Sequence, residues 1–263
     1  MLGSIPWINV RGMAISLFTS QISLADNKQS IIPASDAGSF WHAIISLGGG
    51  LAFPQDIGAS QTFPIVNPVT DSFYIYNANH SNKTVGLFDS FFGVEWLVDP
   101  KWALQLGLGY IRSSNFSIKG SLLQGADIQS SDQYSYNYTI ATNQLVAESK
   151  LRYQFNKRFY PYVLLGLGEA FNTAHDYNTN VPPFLTFTRE YKDNTQSSFT
   201  YLVGIGFDVD IANYLRLGLG YRFSNLGTVK LGKAMIDTSS VASTLSQDHI
   251  QVNEIIAQLT FVI

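Results

Sequence analysis

The residues of this chain that could do chemistry are few and dispersed. Its four histidines, His42, His80, His175 and His249, stand far apart. None sits in the Ser/His/acid constellation that acyl transfer requires, so they read as solvated or rim residues. Cysteine is absent, which excludes disulfide frameworks and thiolate metal sites. No G-x-S-x-G, G-x-G-x-x-G or phosphate-loop motif occurs, and metal ligands do not cluster. No catalytic residue, metal site or cofactor is therefore assigned. What recurs instead is charge of both signs at every second position: Glu95, Glu148, Lys150, Arg152, Asp208, Asp210, Arg216, Arg222 and Glu254. Such a set either lines a pore or gate, or pairs within a narrow interior. Pairing is expected in both cases, because an unpaired buried charge is costly.

The elements that would position these charges are strands. From Trp41 onward the dominant period is two, not 3.6. About eight segments carry it: Phe40–Phe53, Thr84–Val98, Trp102–Ser113, Ile140–Phe155, Tyr160–Phe171, Phe199–Ile211, Tyr214–Ser224 and Ile250–Ile263. In the fourth, Leu145, Ala147, Leu151, Tyr153 and Phe155 alternate with Gln144, Glu148, Lys150, Arg152 and Gln154. Connections alternate in length. Minimal turns fall at Asp99, Asn156 and Ala212, and long polar stretches span Pro54–Lys83, Asn115–Tyr138, Asn172–Ser198 and Asn225–His249.

Two environments produce such strands, a soluble ligand-carrying barrel with its apolar face inward or a membrane barrel with that face outward. Size chooses. The phrases "LQLGLGYIR" (Leu104–Arg112) and "LRLGLGYRF" (Leu215–Phe223) set large apolar residues on one face and glycines on the other. About eight strands enclose a lumen only wide enough for its own side chains, so the small residues belong inside and the large ones outside. Trp96, Trp102, Tyr110, Tyr153, Tyr201 and Tyr221 then fall near strand ends, where aromatic girdles form. Composition agrees: 46% of residues are apolar and only 13% charged, too few for an ordinary soluble surface. No apolar run reaches the roughly 20 residues of a spanning helix. A net charge of −3 with no local basic cluster argues against nucleic acid as a partner.

These strands, the alternation of turns and loops, and the last strand "IIAQLTFVI" resemble the small outer-membrane barrels of Gram-negative bacteria, the opacity-type surface antigens and the OmpA-like transmembrane domain. The resemblance covers about Phe40 to Ile263. It implies an all-β, eight-stranded antiparallel transmembrane β-barrel of up-and-down meander topology in the outer membrane, with its long loops extracellular. It also implies outer-membrane lipid, lipopolysaccharide and the barrel-assembly machinery as partners. Members typically end on an aromatic residue, whereas this chain ends on Ile263 with Phe261 two positions earlier.

The chain divides into a signal peptide over 1–25, on the pattern Arg11, "GMAISLFTSQISLA" and small residues at Ser23 and Ala25, a tail over 26–39, and the barrel over 40–263. Two expected loops, "FYIYNANHSN" and "DQYSYNY", are rich in Tyr, Ser and Asn, a composition that suits binding surfaces. Tyr74, Tyr76, Tyr134, Tyr136 and Tyr138, with Phe184 and Phe187 of a third loop, are the candidate contacts for a host or extracellular surface ligand. The alternative is that the strands continue above the membrane and these rings pack together. The expected function is a non-enzymatic surface protein that adheres through its loops. Rival readings are a narrow channel for small solutes and a lipid A-modifying enzyme.

Overall fold

The computed structural model describes residues 41–55, 57–58, 60–65, 72–79, 83–125, 132–180, 190–236, 239–241 and 244–263. The expected signal peptide and tail lie outside them. Eight long strands follow in chain order: β1 (Trp41–Gln55), β2 (Val85–Asp99), β3 (Trp102–Gly125), β4 (Asp132–Tyr153), β5 (Phe159–Asn180), β6 (Asn194–Ala212), β7 (Leu215–Asn225) and β8 (Gln251–Val262). Each pairs antiparallel with the next in sequence, β7 with β8 across a long connection. The ring closes where β1 pairs with β8, Ile45 opposite Phe261 and Leu51 opposite Ile255. Closure is what lets strands cross lipid, because it leaves no row of backbone groups without partners.

At one rim the connections are minimal, and their side chains explain the turns. Asp99 Oδ1 accepts a hydrogen bond from the Lys101 amide at 3.1 Å. Asn156 Oδ1 accepts from the amides of Arg158 and Phe159 at 3.0 and 2.9 Å. Both are short polar side chains imitating a backbone turn.

At the other rim the strands do not stop where the sequence placed loops. β3, β4 and β5 run 24, 22 and 22 residues, about twice the 9–11 that a bilayer requires. Most of the expected Asn115–Tyr138 loop is thus a hairpin that carries the wall of the barrel upward. A second hairpin, Gln61–Ile65 with Ser72–Asn79, adds to the outer half of β3, from Asn79 opposite Lys119 to Phe73 opposite Gly125. Short strands at Glu190–Tyr191, Ala234–Ile236 and Ser239–Val241 form a small sheet, and Val229–Lys230 pairs with Ser246–Gln247.

The two faces differ as the alternation requires. Leu108 and Ile205 are 58% and 62% exposed, whereas Arg152 and Glu95 keep 1% and 2%. The glycines of the repeated phrases make room for inward neighbours. A Cβ on Gly109 would overlap the Glu148 carboxylate, and one on Gly206 or Gly220 would overlap the Tyr162 hydroxyl. Apolar packing splits into two clusters. Ile111, Val146, Tyr162, Leu164 and Leu202 form a small one beside the charges, and a larger one fills the extended end, including Tyr76, Phe116, Leu122, Tyr136, Ile140 and Leu226.

Candidate functional site

The alternating charges meet in the lumen as one connected network. Near the short-turn rim Glu95 of β2 accepts from Arg152 Nη1 at 2.5 Å, from Arg216 Nη1 and Nη2 at 2.6 and 2.8 Å, and from Gln105 Nε2 at 2.7 Å. Arg152 Nε lies 2.9 Å from Asp208 Oδ2, and its guanidinium covers the Tyr160 ring at 4.5 Å. Arg216 Nε donates to Asp210 Oδ1 at 3.1 Å. Further up, Arg222 bridges Asp89, at 2.7 Å, and Glu254. Lys150 joins the two knots: its Nζ is 4.0 Å from Asp208 Oδ1, donates to Gln258 Oε1 at 3.0 Å, and sits 4.3 Å over the Tyr162 ring.

Each of the four cations thus has a carboxylate within 4.0 Å. Glu148 is the carboxylate left over. It is buried, forms no ion pair among the described residues, and its Oε1 has no hydrogen-bond partner. All nine charges singled out in the sequence face the lumen, with Asp210 and Arg216 only part-buried near its mouth. Sequence reasoning left out Asp89, Gln105, Gln258 and Tyr162. Asp89 could have been found, since it lies on the same alternation as Glu95, three steps of two along β2. The arrangement fills and ties the interior. No group of three or more His, Asp or Glu among the described residues is placed to hold a metal ion.

The tyrosines expected to reach outward do not. Tyr74, Tyr76, Tyr136 and Tyr138 are buried inside the extended end, because their strands continue and period two turns each of them inward. Tyr76 packs edge-on against Tyr136, Tyr191 and Phe63, with ring centroids 5.2, 5.9 and 5.8 Å apart. Tyr177 meets Tyr191 at 5.0 Å. Burial pushes the Tyr136 phenol up to about 12 and raises those of Tyr76 and Tyr138 as well. Tyr134, near the tip of β4, is half-buried. Phe184 and Phe187 lie outside the described residues. The described parts of the long loops thus form a folded cap, on which Ser135, Asn137, Asn178 and Asn180 are exposed.

Around the wall the aromatic residues fall into two bands. Trp96 and Trp102 are exposed near the short-turn rim, and Trp102 packs on Tyr153 at 4.8 Å. Trp41, opposite Trp96, joins them with Phe155 and Tyr214. Toward the cap, Tyr110, Tyr201 and Tyr221 face outward. There Tyr110 Oη donates to Asn143 Oδ1 at 3.0 Å, and Tyr221 Oη to Asn253 Oδ1 at 2.5 Å. Rings with an apolar body and a polar tip suit the edges of a lipid layer. His42 and His249 are exposed, His175 contacts its neighbour Asp176, and His80 lies outside the described residues.

The family described as "Outer membrane protein beta-barrel domain" matches residues 70–253. No curated protein matches the chain. The chain is similar to solved outer-membrane proteins at low identity. Neisserial surface protein A is 12% identical with a TM-score of 0.43, covering 85% of this chain and 97% of its own. OprG of Pseudomonas aeruginosa is 14% identical at 0.46, covering 83% and 96%. Ail of Yersinia pestis, solved with the heparin analogue sucrose octasulfate, is 10% identical at 0.39, covering 86% and 100%.

Proposed function

Because the chain belongs to the outer-membrane β-barrel family, we propose that it is a non-enzymatic surface protein whose extracellular cap mediates adhesion to a host or other external surface. The observation that carries this reading is the cap. β3, β4 and β5 extend well beyond the length that lipid demands, and the space they enclose has its own apolar core. A barrel needed only for anchorage has no use for that extension. The lumen is tied across by buried ion pairs, which suits a plug better than a passage. The contact surface is then the polar exterior of the cap, not the tyrosines within it, and adaptable Ser and Asn side chains suit such a role.

Display on a bacterial host without adhesins of its own tests the proposal. Cells displaying the protein should be retained on matrix-coated surfaces above the level of empty cells. The double substitution Asn137→Lys/Asn178→Lys, at paired exposed positions of β4 and β5, should lower that retention while leaving the barrel folded. Equal retention by displaying and empty cells would overturn the adhesion reading.

A further inference from the structure

The lumen of the barrel is full of charge, and its outer wall is almost free of it. Among the described residues of the eight strands, between the short-turn rim and the cap, the exposed charged side chains are Arg112 of β3 and Glu169 of β5. Neither forms an ion pair among the described residues. Glu169 is bordered by apolar side chains: Leu145 of β4 and Phe199 of β6 lie opposite it, and both are exposed. Asn143 of β4 stands opposite Arg112 on one side and Phe171 on the other. Its Oδ1 is already taken by the Tyr110 hydroxyl, so it does not bridge the two charges.

The registers fix how high these charges stand. A path of paired residues leaves β1 at Ile45, crosses Phe92, Ala147 and Tyr201 on its way around the ring, and returns to β1 at Gln55. One circuit of eight strands thus climbs ten positions, from Ile45 to Gln55, the stagger that closing a tilted sheet demands. Each step to the next strand therefore climbs about one and a quarter residues. Two such steps lead from Arg112 through Asn143 to Phe171, so Phe171 stands about two and a half residues above Arg112. Glu169, two positions lower on the rising strand β5, is level with Arg112 to within about one residue. The outward wall thus carries one cation and one anion at a single depth, on either side of β4.

We propose that this face docks a second copy of the chain, the two copies being related by a two-fold axis that runs along the membrane normal and faces β4. Such an axis keeps depth and exchanges left for right, so the patch is its own complement. Arg112 of each copy then meets the partner's Glu169, and both pairs form at once. Beside lipid such pairs are screened less than on a wet surface. A single anionic or cationic ligand would answer one of the two charges, whereas a copy of the same chain answers both. At the axis itself the outward residues of β4 below Leu145 are Ala147 and Ser149, which put no bulky side chain in the way. The contact rests on the outer-membrane reading, since the lipid layer is what holds both copies upright at one depth.

The chain has no cysteine, so a cysteine introduced at the axis reports the contact directly. The full chain carrying Ser149→Cys, expressed in a Gram-negative host and oxidised with copper-phenanthroline in isolated outer membranes, should give a disulfide-linked dimer on non-reducing gels. Ala257→Cys, exposed at nearly the same depth on β8 across the barrel, should stay monomeric. In the Ser149→Cys chain, Arg112→Gln removes both pairs and should lower the dimer yield about threefold, and Arg112→Glu, which makes both repel, about tenfold. Glu169→Arg should act as Arg112→Glu does. Co-expressed with tags of different length, the Arg112→Glu and Glu169→Arg chains oppose unlike charges at both contacts, and the mixed dimer should return to the yield of the unreversed chain. Equal yields from Ser149→Cys and Ala257→Cys, a yield that Arg112→Gln leaves unchanged, or a mixed dimer no more abundant than either reversed chain alone would overturn the contact. Heated and unheated gel mobility of the reduced samples shows which variants have folded, and Arg112→Gln serves if the reversed chains do not. A Ser149→Cys chain without a heat-dependent shift would overturn the barrel reading, and the contact with it.

Discussion

At the scale of single residues, the lumen is governed by charges that cannot be left alone and glycines that cannot be enlarged. Arg222 is held between Asp89 and Glu254 with almost no exposure, so Arg222→Met strands two carboxylates. It should lower stability by about 3–5 kcal/mol, the cost of breaking a buried pair, read as a lower urea midpoint for loss of the compact gel form. Gly220 faces the Tyr162 hydroxyl, so Gly220→Ala overpacks the interior, at about 1–3 kcal/mol. Tyr162→Phe removes the overlapping hydroxyl and should return part of that loss in the double variant; additive losses would show that the strain lies elsewhere. The charged positions were legible in the sequence because a charge at every second position of an otherwise apolar strand has to face away from lipid. Which charges pair was not legible, since pairing joins Glu95 to Arg216 across 121 positions and depends on registers that alternation leaves open.

At the scale of elements, all eight spanning strands were legible within a few residues at their membrane ends, because lipid on one face enforces period two. The upper halves of β3, β4 and β5 were not. On β4 the inward face there is aromatic and the outward face is Ser, Asn and Thr, a composition that reads as loop although Tyr134, Tyr136 and Tyr138 keep the alternation. The cap hairpin at Gln61–Asn79 was hidden similarly, with Pro64 inside one of its strands. The cap core can be tested through its rings. Tyr76→Ala removes a ring that three others pack against, and truncating a large buried side chain costs about 3–5 kcal/mol. The cap should become open to protease on whole cells while the heat-dependent mobility of the barrel persists. The Tyr136 phenol, near 10 in an unfolded chain, is held by burial at about 12. The folded cap thus favours the protonated ring. That contribution is complete below pH about 10 and is lost as pH rises through about 12, which phenolate absorbance of the intact protein should follow.

At the scale of the whole molecule, a closed wall, an ion-paired lumen and an apolar core in the cap follow one another, an arrangement that suits the proposed surface role better than a passage. Planar bilayers containing it should show no discrete conductance steps; regular steps that change with Arg216→Gln would mean that the network gates a pore. The central claim is the placement of this arrangement, with lipid around its wall and its cap outside the cell. It is tested most directly by gel mobility of the outer-membrane fraction, heated and unheated, before and after protease treatment of whole cells. The structure predicts a heat-dependent shift, with cleavage confined to the long connections and none at the Asp99, Asn156 or Ala212 turns. A soluble protein without a shift, or cleavage at those turns from outside, would mean that the faces or the ends of the barrel are reversed.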